Sequence, residues 1–466
     1  MKKSLLGAFL TAFLIAGLIL ASAMRFEAVQ ASTEVTGIIY SNTKWTKENS
    51  PYNLASSITV ASETTLTIEP GTIVQLNEYH LQVNGTLIAR GTSSDPINFH
   101  GGTSISTGGW KITTGDNAYS IVFSPSSTGW NQQTQSGCII ENAVISNLVI
   151  NGGSPKIINS FLGNIDIWGG TPEIYNNTVV GGIGAYAGSA LIANNTVSQQ
   201  NHYFIGYEGA IVAQRYDRNN NVIIITRKAT PFVSGNVIIG NISQVEQGIG
   251  FETENATITS NKIYGCYRAG IGFYEGIGNA LILGNTIYDC SYGINLNETG
   301  RLYGDHNAVV TIQRNLICNT TLGISSTLQV TVENNSIKNN TVGVVTSAPL
   351  SIIYNNIEGN NQSIYLSSPN NLDATNNWWG TTDTQAISQS IHDFDDDSTL
   401  GKVTFVPFLT EPNPAARELT PTSTPTVAPY QEPQQTEKLE IIIGVAIAAV
   451  VISAGLGLLI YLIKRK

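Results

Sequence analysis

Leu281-Ile282-Leu283-Gly284-Asn285-Thr286-Ile287 opens a stretch, residues 281–366, that repeats one pattern with small changes. Asn285-Thr286-Ile287 leads to Gly293-Ile294, Asn315-Leu316-Ile317 to Gly323-Ile324, and Asn335-Ser336-Ile337 to Gly343-Val344. Asn355-Asn356-Ile357 leads to Ser363-Ile364, with Ser in the glycine's place. Three residues before each Asn stands an apolar residue: Ile282, Ile312, Val332 and Ile352. From Asn315 the period is 20 residues, twice. Self-similarity at such a period marks a solenoid, in which each unit buries its apolar face only by stacking on its neighbours.

The same register extends upstream and downstream through Asn142, Asn177, Asn195, Asn236, Asn261 and Asn377, with Ser160 in one slot. The step from Asn195 to Asn236 is 41 residues, so it holds either an extra degenerate rung or an inserted loop. Between Ile58 and Phe99 short apolar pairs at period two are broken by Pro70-Gly71, Asn84-Gly85 and Gly91-Thr92. Period two means strands, and turns recurring at fixed offsets select a β-helix over a sandwich or barrel. In such a stack Asn is expected at a turn with φ > 0, its amide bonded to the amide one rung up. Gly is expected to serve the second bend. The expected fold is thus all-β, a right-handed parallel β-helix solenoid of roughly 11–14 coils.

Composition agrees. Of 466 residues only 12% are charged, against a usual value of about a quarter, and Gly and Asn number 45 each. The net charge of −10 is spread along the chain, without the basic stripe that nucleic-acid binding requires. Four cysteines are too few for a disulfide scaffold. Cys266 and Cys290 each follow a repeat Asn by five residues and should stack on neighbouring rungs, as buried small hydrophobes or, in an oxidising compartment, as a disulfide.

The ends predict a location. Met1-Lys2-Lys3, the apolar run Leu5 to Leu20 and the small residues at 21–31 form a signal-peptide pattern over residues 1–31. Residues 32–410 form the ectodomain. Residues 411–440, with six prolines and a Thr/Pro run, read as an extended stalk. Residues 441–463 lack charge and at about 1.5 Å per residue reach across a bilayer. The basic residues 464–466 place that end in the cytoplasm, making a single-pass cell-surface protein.

The repeat Asn-x-Ile-x(5)-Gly-Ile resembles the parallel β-helix repeats of the pectate-lyase-like superfamily, especially NosD-type repeats. Thr65-Leu66-Thr67-Ile68-Glu69-Pro70-Gly71-Thr72 and Gly108-Gly109-Trp110 are similar to the first coils of large prokaryotic and archaeal surface β-helix proteins. Asn376-Asn377-Trp378-Trp379-Gly380 and Pro407-Phe408-Leu409 are similar to their terminal segment. The resemblance spans about residues 55–409 and implies the fold; this fold hosts lyases, hydrolases, adhesins and carriers. Copper handling, which the NosD name suggests, wants His and Met; there are five scattered His, and both Met lie in the leader. Trp378 and Trp379 are expected to close the apolar end of the stack. Ile387, Ile391 and Phe394, at i, i+4 and i+7, are expected to lie on one short helix over it.

Three places carry candidate chemistry. Glu275 and Glu298 follow the second bend of adjacent units, with Glu252 and Glu254 flanking the same slot one unit earlier. Carboxylates on neighbouring rungs would lie roughly 5 Å apart, the spacing of a retaining glycosidase or of a Ca²⁺ site. In the enzyme reading Glu275, Glu298 and His306 are catalytic. Arg268, Tyr274, Arg301 and Tyr303 contact ligand, and Glu254 and Asp305 would serve a metal. The long step carries Tyr207 and Arg215, an aromatic and cationic pairing suited to a sugar or anionic glycan. Asp393-Phe394-Asp395-Asp396-Asp397 suggests Ca²⁺, but Ser398 and Thr404 break the EF-hand pattern, and solvation of a helix end is the plainer account. GxSxG, P-loop, dinucleotide and polygalacturonase-type motifs are absent. The leading reading is a membrane-anchored ectodomain that binds polysaccharide or a surface glycoprotein without catalysis. The alternatives are a tethered polysaccharide lyase or glycoside hydrolase, and a purely structural envelope protein.

Overall fold

The computed structural model describes residues 32–101, 120–198, 203–208, 213–216, 222–225, 232–240, 247–252, 255–273, 279–297 and 309–416. The chain divides into two units, Met1–Glu418 and Leu419–Lys466. The expected leader, most of the stalk and the apolar span lie outside the described residues. Among those described, no helix is long and apolar enough to cross a membrane.

Two long sheets wind around one core. A 13-stranded sheet runs from Thr43–Trp45 to Pro349–Ile353 and forms the first face. A 27-stranded sheet forms the second and third faces, which merge where Ala143–Ile150 and Phe161–Trp168 run on from one face to the next. Pairing between successive coils is parallel throughout the repeats, for example Val309–Gln313 with Gln329–Glu333 and Leu316–Cys318 with Ser336–Lys338. Thirteen first-face strands match the expected number of coils.

The apolar residues of the repeat set the register. Ile282, Ile312, Val332 and Ile352 stack on the first face, and Ile287, Ile317, Ile337 and Ile357 on the second. Ile294, Ile324, Val344 and Ile364 stack on the third. All are fully buried. Each such side chain contributes about 1.5–3 kcal/mol, and a one-residue slip would turn a whole row outward.

The bends differ in detail from the sequence expectation. The ladder asparagines are buried, but the residue with φ > 0 is the one before each of them: Asn176, Asn194, Gly235, Ser260, Gly284, Arg314, Asn334, Tyr354 and Asn376. Asn142 has φ 49° and so takes this preceding position. The ladder slot of its coil is Ala143, whose N–H donates to Ser160 Oγ. The division follows from geometry: the left-handed residue turns the chain and aims the next side chain inward, where an amide finds partners above and below. A second left-handed position follows five residues later, at Gly265, Asp289, Asn319, Asn339 and Gly359.

The repeat glycines do not make the second bend. Gly293, Gly323 and Gly343 lie within third-face strands, without left-handed φ. A Cβ on Gly293 would come within 2.4 Å of Ile317 Cγ2 and 2.5 Å of the Gly323 carbonyl oxygen. Close approach of backbone to packed isoleucine requires Gly there.

Of the two tryptophans expected to close the C-terminal end, Trp379 does so, whereas Trp378 is part-exposed and donates its indole N–H to Glu358 Oε2 at 3.0 Å. Trp379 is buried and meets Phe405 edge-on at 6.3 Å, and Phe405 stacks with Phe408. The helix is shorter than the apolar spacing suggests. It spans Thr384–Gln389, N-capped by Asp383, and of the three spaced apolar residues holds only Ile387. Ile391 belongs to a strand paired with Ile364, and Phe394 is half exposed. The carbonyl of Ser390 accepts from Ser363 N–H at 2.7 Å, so pairing with the last coil's open edge replaces a further helical turn. Residues just after 410 also lie on the stack: Asn413 N–H donates to Asn356 Oδ1 at 2.7 Å, and its amide to Asn334 Oδ1.

Candidate functional site

The long step proves to be an insertion. Leu191 pairs directly with Phe232 on the first face, so no extra rung intervenes. The third-face strand Tyr203–Glu208 carries Tyr207 opposite Phe251, and Glu208 opposite Glu252. An antiparallel hairpin, Ala213–Tyr216 with Val222–Ile225, carries Arg215 opposite Ile223. Tyr203–Glu208, Gln247–Glu252, Ala269–Phe273 and Tyr292–Leu296 pair in sequence on the third face.

Glu254, Tyr274, Glu275, Glu298, Arg301, Tyr303, Asp305 and His306 lie outside the described residues. Arg268 is half-buried in the turn before Ala269–Phe273, where its carbonyl accepts from Tyr292 N–H at 2.6 Å. Tyr274 and Glu275 follow the other end of that strand.

A cluster that the sequence reading missed sits on the outer side of the first face. Lys156 occupies an outward strand position, yet its side chain is only 6% exposed. Its ammonium lies 4.9 Å from the centre of the Trp130 ring and 5.1 Å from that of Tyr175. It also donates to Gln132 Oε1 at 3.2 Å and lies 3.9 Å from the Glu173 carboxylate. Arg90 lies over the same Trp130 ring at 5.6 Å and pairs with Glu141 at 3.7 Å. Trp130 is fixed by its N–H to the Ser154 carbonyl and by its indole N–H to Gln132. Burying an ammonium costs free energy unless such partners replace the water it loses. The two cations and two carboxylates balance, leaving aromatic rings, each part-exposed, on an electrically neutral patch. The signal in the sequence was slight: one Lys in the apolar run Pro155-Lys156-Ile157-Ile158, with its ring partner 26 positions earlier.

The cysteines are free and buried. The amide N–H of Cys266 donates to Cys290 Sγ at 3.4 Å, so the two stack as expected. They fill the slot that Thr320, Asn340 and Asn360 fill in later coils, where Asn340 Oδ1 accepts from Thr320 Oγ1 at 2.7 Å and Asn360 Oδ1 from Asn340 Nδ2 at 3.0 Å. The contact with Cys290, and then burial, push the Cys266 thiol well above its usual range. Burial, then the neighbouring Tyr264, pushes Tyr288 up to about 12; the two rings stack at 5.0 Å.

The Asp393 loop is self-satisfied. Asp393 is buried, accepts from Val403 N–H at 2.8 Å and Asp395 N–H at 3.0 Å, and lies 3.5 Å from Lys402. Its oxygens close the loop against the last strand. Among the described residues no three His, Cys, Asp or Glu gather in a manner that would hold a metal ion.

Residues 188–391 match the family model described as periplasmic copper-binding protein (NosD), a match covering less than half of the chain. No curated protein matches the chain in sequence. The match and the all-parallel coil pairing fit right-handed β-helix repeat proteins, with a NosD-type segment over residues 188–391.

Proposed function

We propose that this protein is an extracytoplasmic β-helix scaffold that binds a glycan without catalysis. The supporting observation is the Trp130–Lys156–Tyr175 cluster with Arg90, Glu141 and Glu173. Part-exposed aromatic faces stack on the C–H faces of sugar rings, and flanking charged groups hydrogen-bond hydroxyls. Because the charges pair off, a neutral glycan suits the patch better than a strongly anionic one. The family description supports an extracytoplasmic setting. A cleaved leader, a Pro/Thr stalk and one C-terminal span would tether the scaffold at the cell surface. Protease shaving of intact cells that releases the ectodomain but not the last residues tests that arrangement.

The description also names copper. The described residues do not fit a centre of three or more such ligands.

A second reading rests on the register of Glu208 with Glu252, which sets two acidic positions on adjoining rungs. It makes the protein a polysaccharide lyase or hydrolase, and Ca²⁺ would then have a role. The purified protein, incubated with neutral and acidic polysaccharides with and without Ca²⁺, distinguishes the two. Retention without new reducing ends supports the binding reading; turnover lost in Glu298→Gln supports the enzyme.

A further inference from the structure

We propose that the first coil is a self-association surface, at which two copies of this chain join head to head about a two-fold axis. With the cleaved leader proposed above, on which this inference rests, the mature chain would start at Ser32, one residue before the first strand. The first coil consists of Thr33–Val35 on the second face, Ile38–Ile39 on the third and Thr43–Trp45 on the first. Each pairs with a strand of the next coil, and among the described residues none has a strand on its other side. The far end differs, being covered by Trp379, Phe405 and the strand Ile391–His392. Val35, Gly37, Ile39 and Trp45 spend their carbonyls on the next coil, accepting from Ala55, Thr59, Ala61 and Glu69 N–H at 2.9–3.1 Å. Successive strand residues direct their backbone groups to opposite sides, so Glu34, Ile38 and Lys44 turn theirs to the open edge.

The side chains on that edge say which occupant fits. Val35, Ile39 and Trp45 point into the core, and the first two are only partly covered, so the apolar interior ends unsealed. Glu34, Ile38 and Lys44 lie on the outer surface, one on each face, with Ile38 49% exposed. A two-fold axis across the end pairs one face with itself and exchanges the other two. Through the second face it would set Glu34 against its own copy, and through the first Lys44 against its own copy; like charges directly opposite are destabilising. Through the third face it sets Ile38 opposite Ile38 of the other copy, and Glu34 opposite Lys44 of the other copy, twice. Charge complementarity therefore selects the third-face axis. Lys44 also pairs with Glu69 on the next coil, and at 59% exposure its side chain remains open to a second carboxylate. Such an interface is closed, so it yields a dimer and not a filament.

The test uses the full-length protein in detergent, with sedimentation equilibrium over a concentration series and intact-mass spectrometry to read the N-terminal residue. Wild type is expected to be a dimer. Ile38→Lys and Glu34→Lys should each yield monomer, and adding Lys44→Glu to Glu34→Lys should restore the dimer. All three positions are exposed, so the variants should fold, which far-UV circular dichroism checks. Cysteine substitution locates the axis: a hydrogen-bonded antiparallel pair holds its Cα atoms about 5.5 Å apart, inside the disulfide range of about 4.4–6.8 Å. Ile38→Cys should therefore form a covalent dimer on treatment with oxidised glutathione, whereas Glu34→Cys and Lys44→Cys, each facing a different residue, should not. A wild type that stays monomeric, or a dimer that survives both Ile38→Lys and Glu34→Lys, overturns the proposal. Residues 1–31 still present in the mass spectrum would count against the cleaved leader alone, because the oligomeric state is read separately.

Discussion

The side-chain amide of Asn285 donates to Oδ1 of Asn315 at 2.9 Å, across 30 residues of chain. The same oxygen accepts the backbone N–H of Asn285, and Asn315 passes its own amide to Asn335 and to the Ile282 carbonyl. Repeated from Asn177 to Asn377, this contact ties each coil to the next through a fully buried and fully satisfied polar column. The column specifies register as the isoleucine rows specify burial.

Replacing Asn315 by Ala therefore removes one acceptor from two buried donors of Asn285. At roughly 1–3 kcal/mol for each unsatisfied group, the expected loss is about 3–5 kcal/mol. Asn319→Gly, at a left-handed and exposed position, should change stability by less than about 1 kcal/mol. Denaturant unfolding of the two variants checks the contrast; equal losses would mean that the column is not the stabilising feature.

Gly323→Ala should be as severe as a core mutation, although Ala is the smallest possible change. The new methyl would meet the Gly343 carbonyl oxygen at 2.4 Å and Ile337 Cγ2 at 3.1 Å. Backbone cannot retreat without parting two coils, so a cost of about 1–3 kcal/mol is expected, as for overpacking. Ser363, in the equivalent slot of the last coil, should tolerate Ala with little change, and thermal melts of the pair give the comparison.

His80 supplies a pH dependence. Burial holds its pKa below the usual imidazole value, and Nδ1 lies 3.0 Å from Ser57 Oγ. In the unfolded chain it titrates near its ordinary value, about 6.5. Above that pH both states are neutral and its contribution is fully present. As pH falls below it the unfolded state binds the proton first, so stability declines until the folded pKa is passed. His80→Gln should flatten the stability curve below about pH 6.5; an unchanged slope would assign it to other groups.

Much of the architecture was legible because it is periodic. The apolar rows, the Asn column and the stacking of Cys266 on Cys290 each recur at an offset that a single sequence displays. What was misplaced depends on backbone angles and close contacts. The left-handed residue precedes the ladder Asn, Gly323 is required by the Gly343 carbonyl one coil away, and Ile391 leaves the helix to meet an open edge. The Trp130–Lys156–Tyr175 cluster was invisible for a different reason. Its members come from a loop and two coils, and no repeat offset links them. The acidic column was legible only as a sequence alignment of units. Strand pairing sets Phe251 opposite Phe273, while Glu275 and Glu298 lie outside the described residues.

The most direct measurement is retention of the purified protein on an array of neutral and acidic glycans, repeated with Trp130→Ala and accompanied by a reducing-end assay on each retained glycan. The account predicts that wild type is retained on a neutral glycan and releases no new reducing ends. Trp130→Ala should bind at least tenfold more weakly, about 1.4 kcal/mol, within the range for a lost aromatic contact. Undiminished binding by Trp130→Ala, or turnover of the retained glycan by wild type, would contradict it.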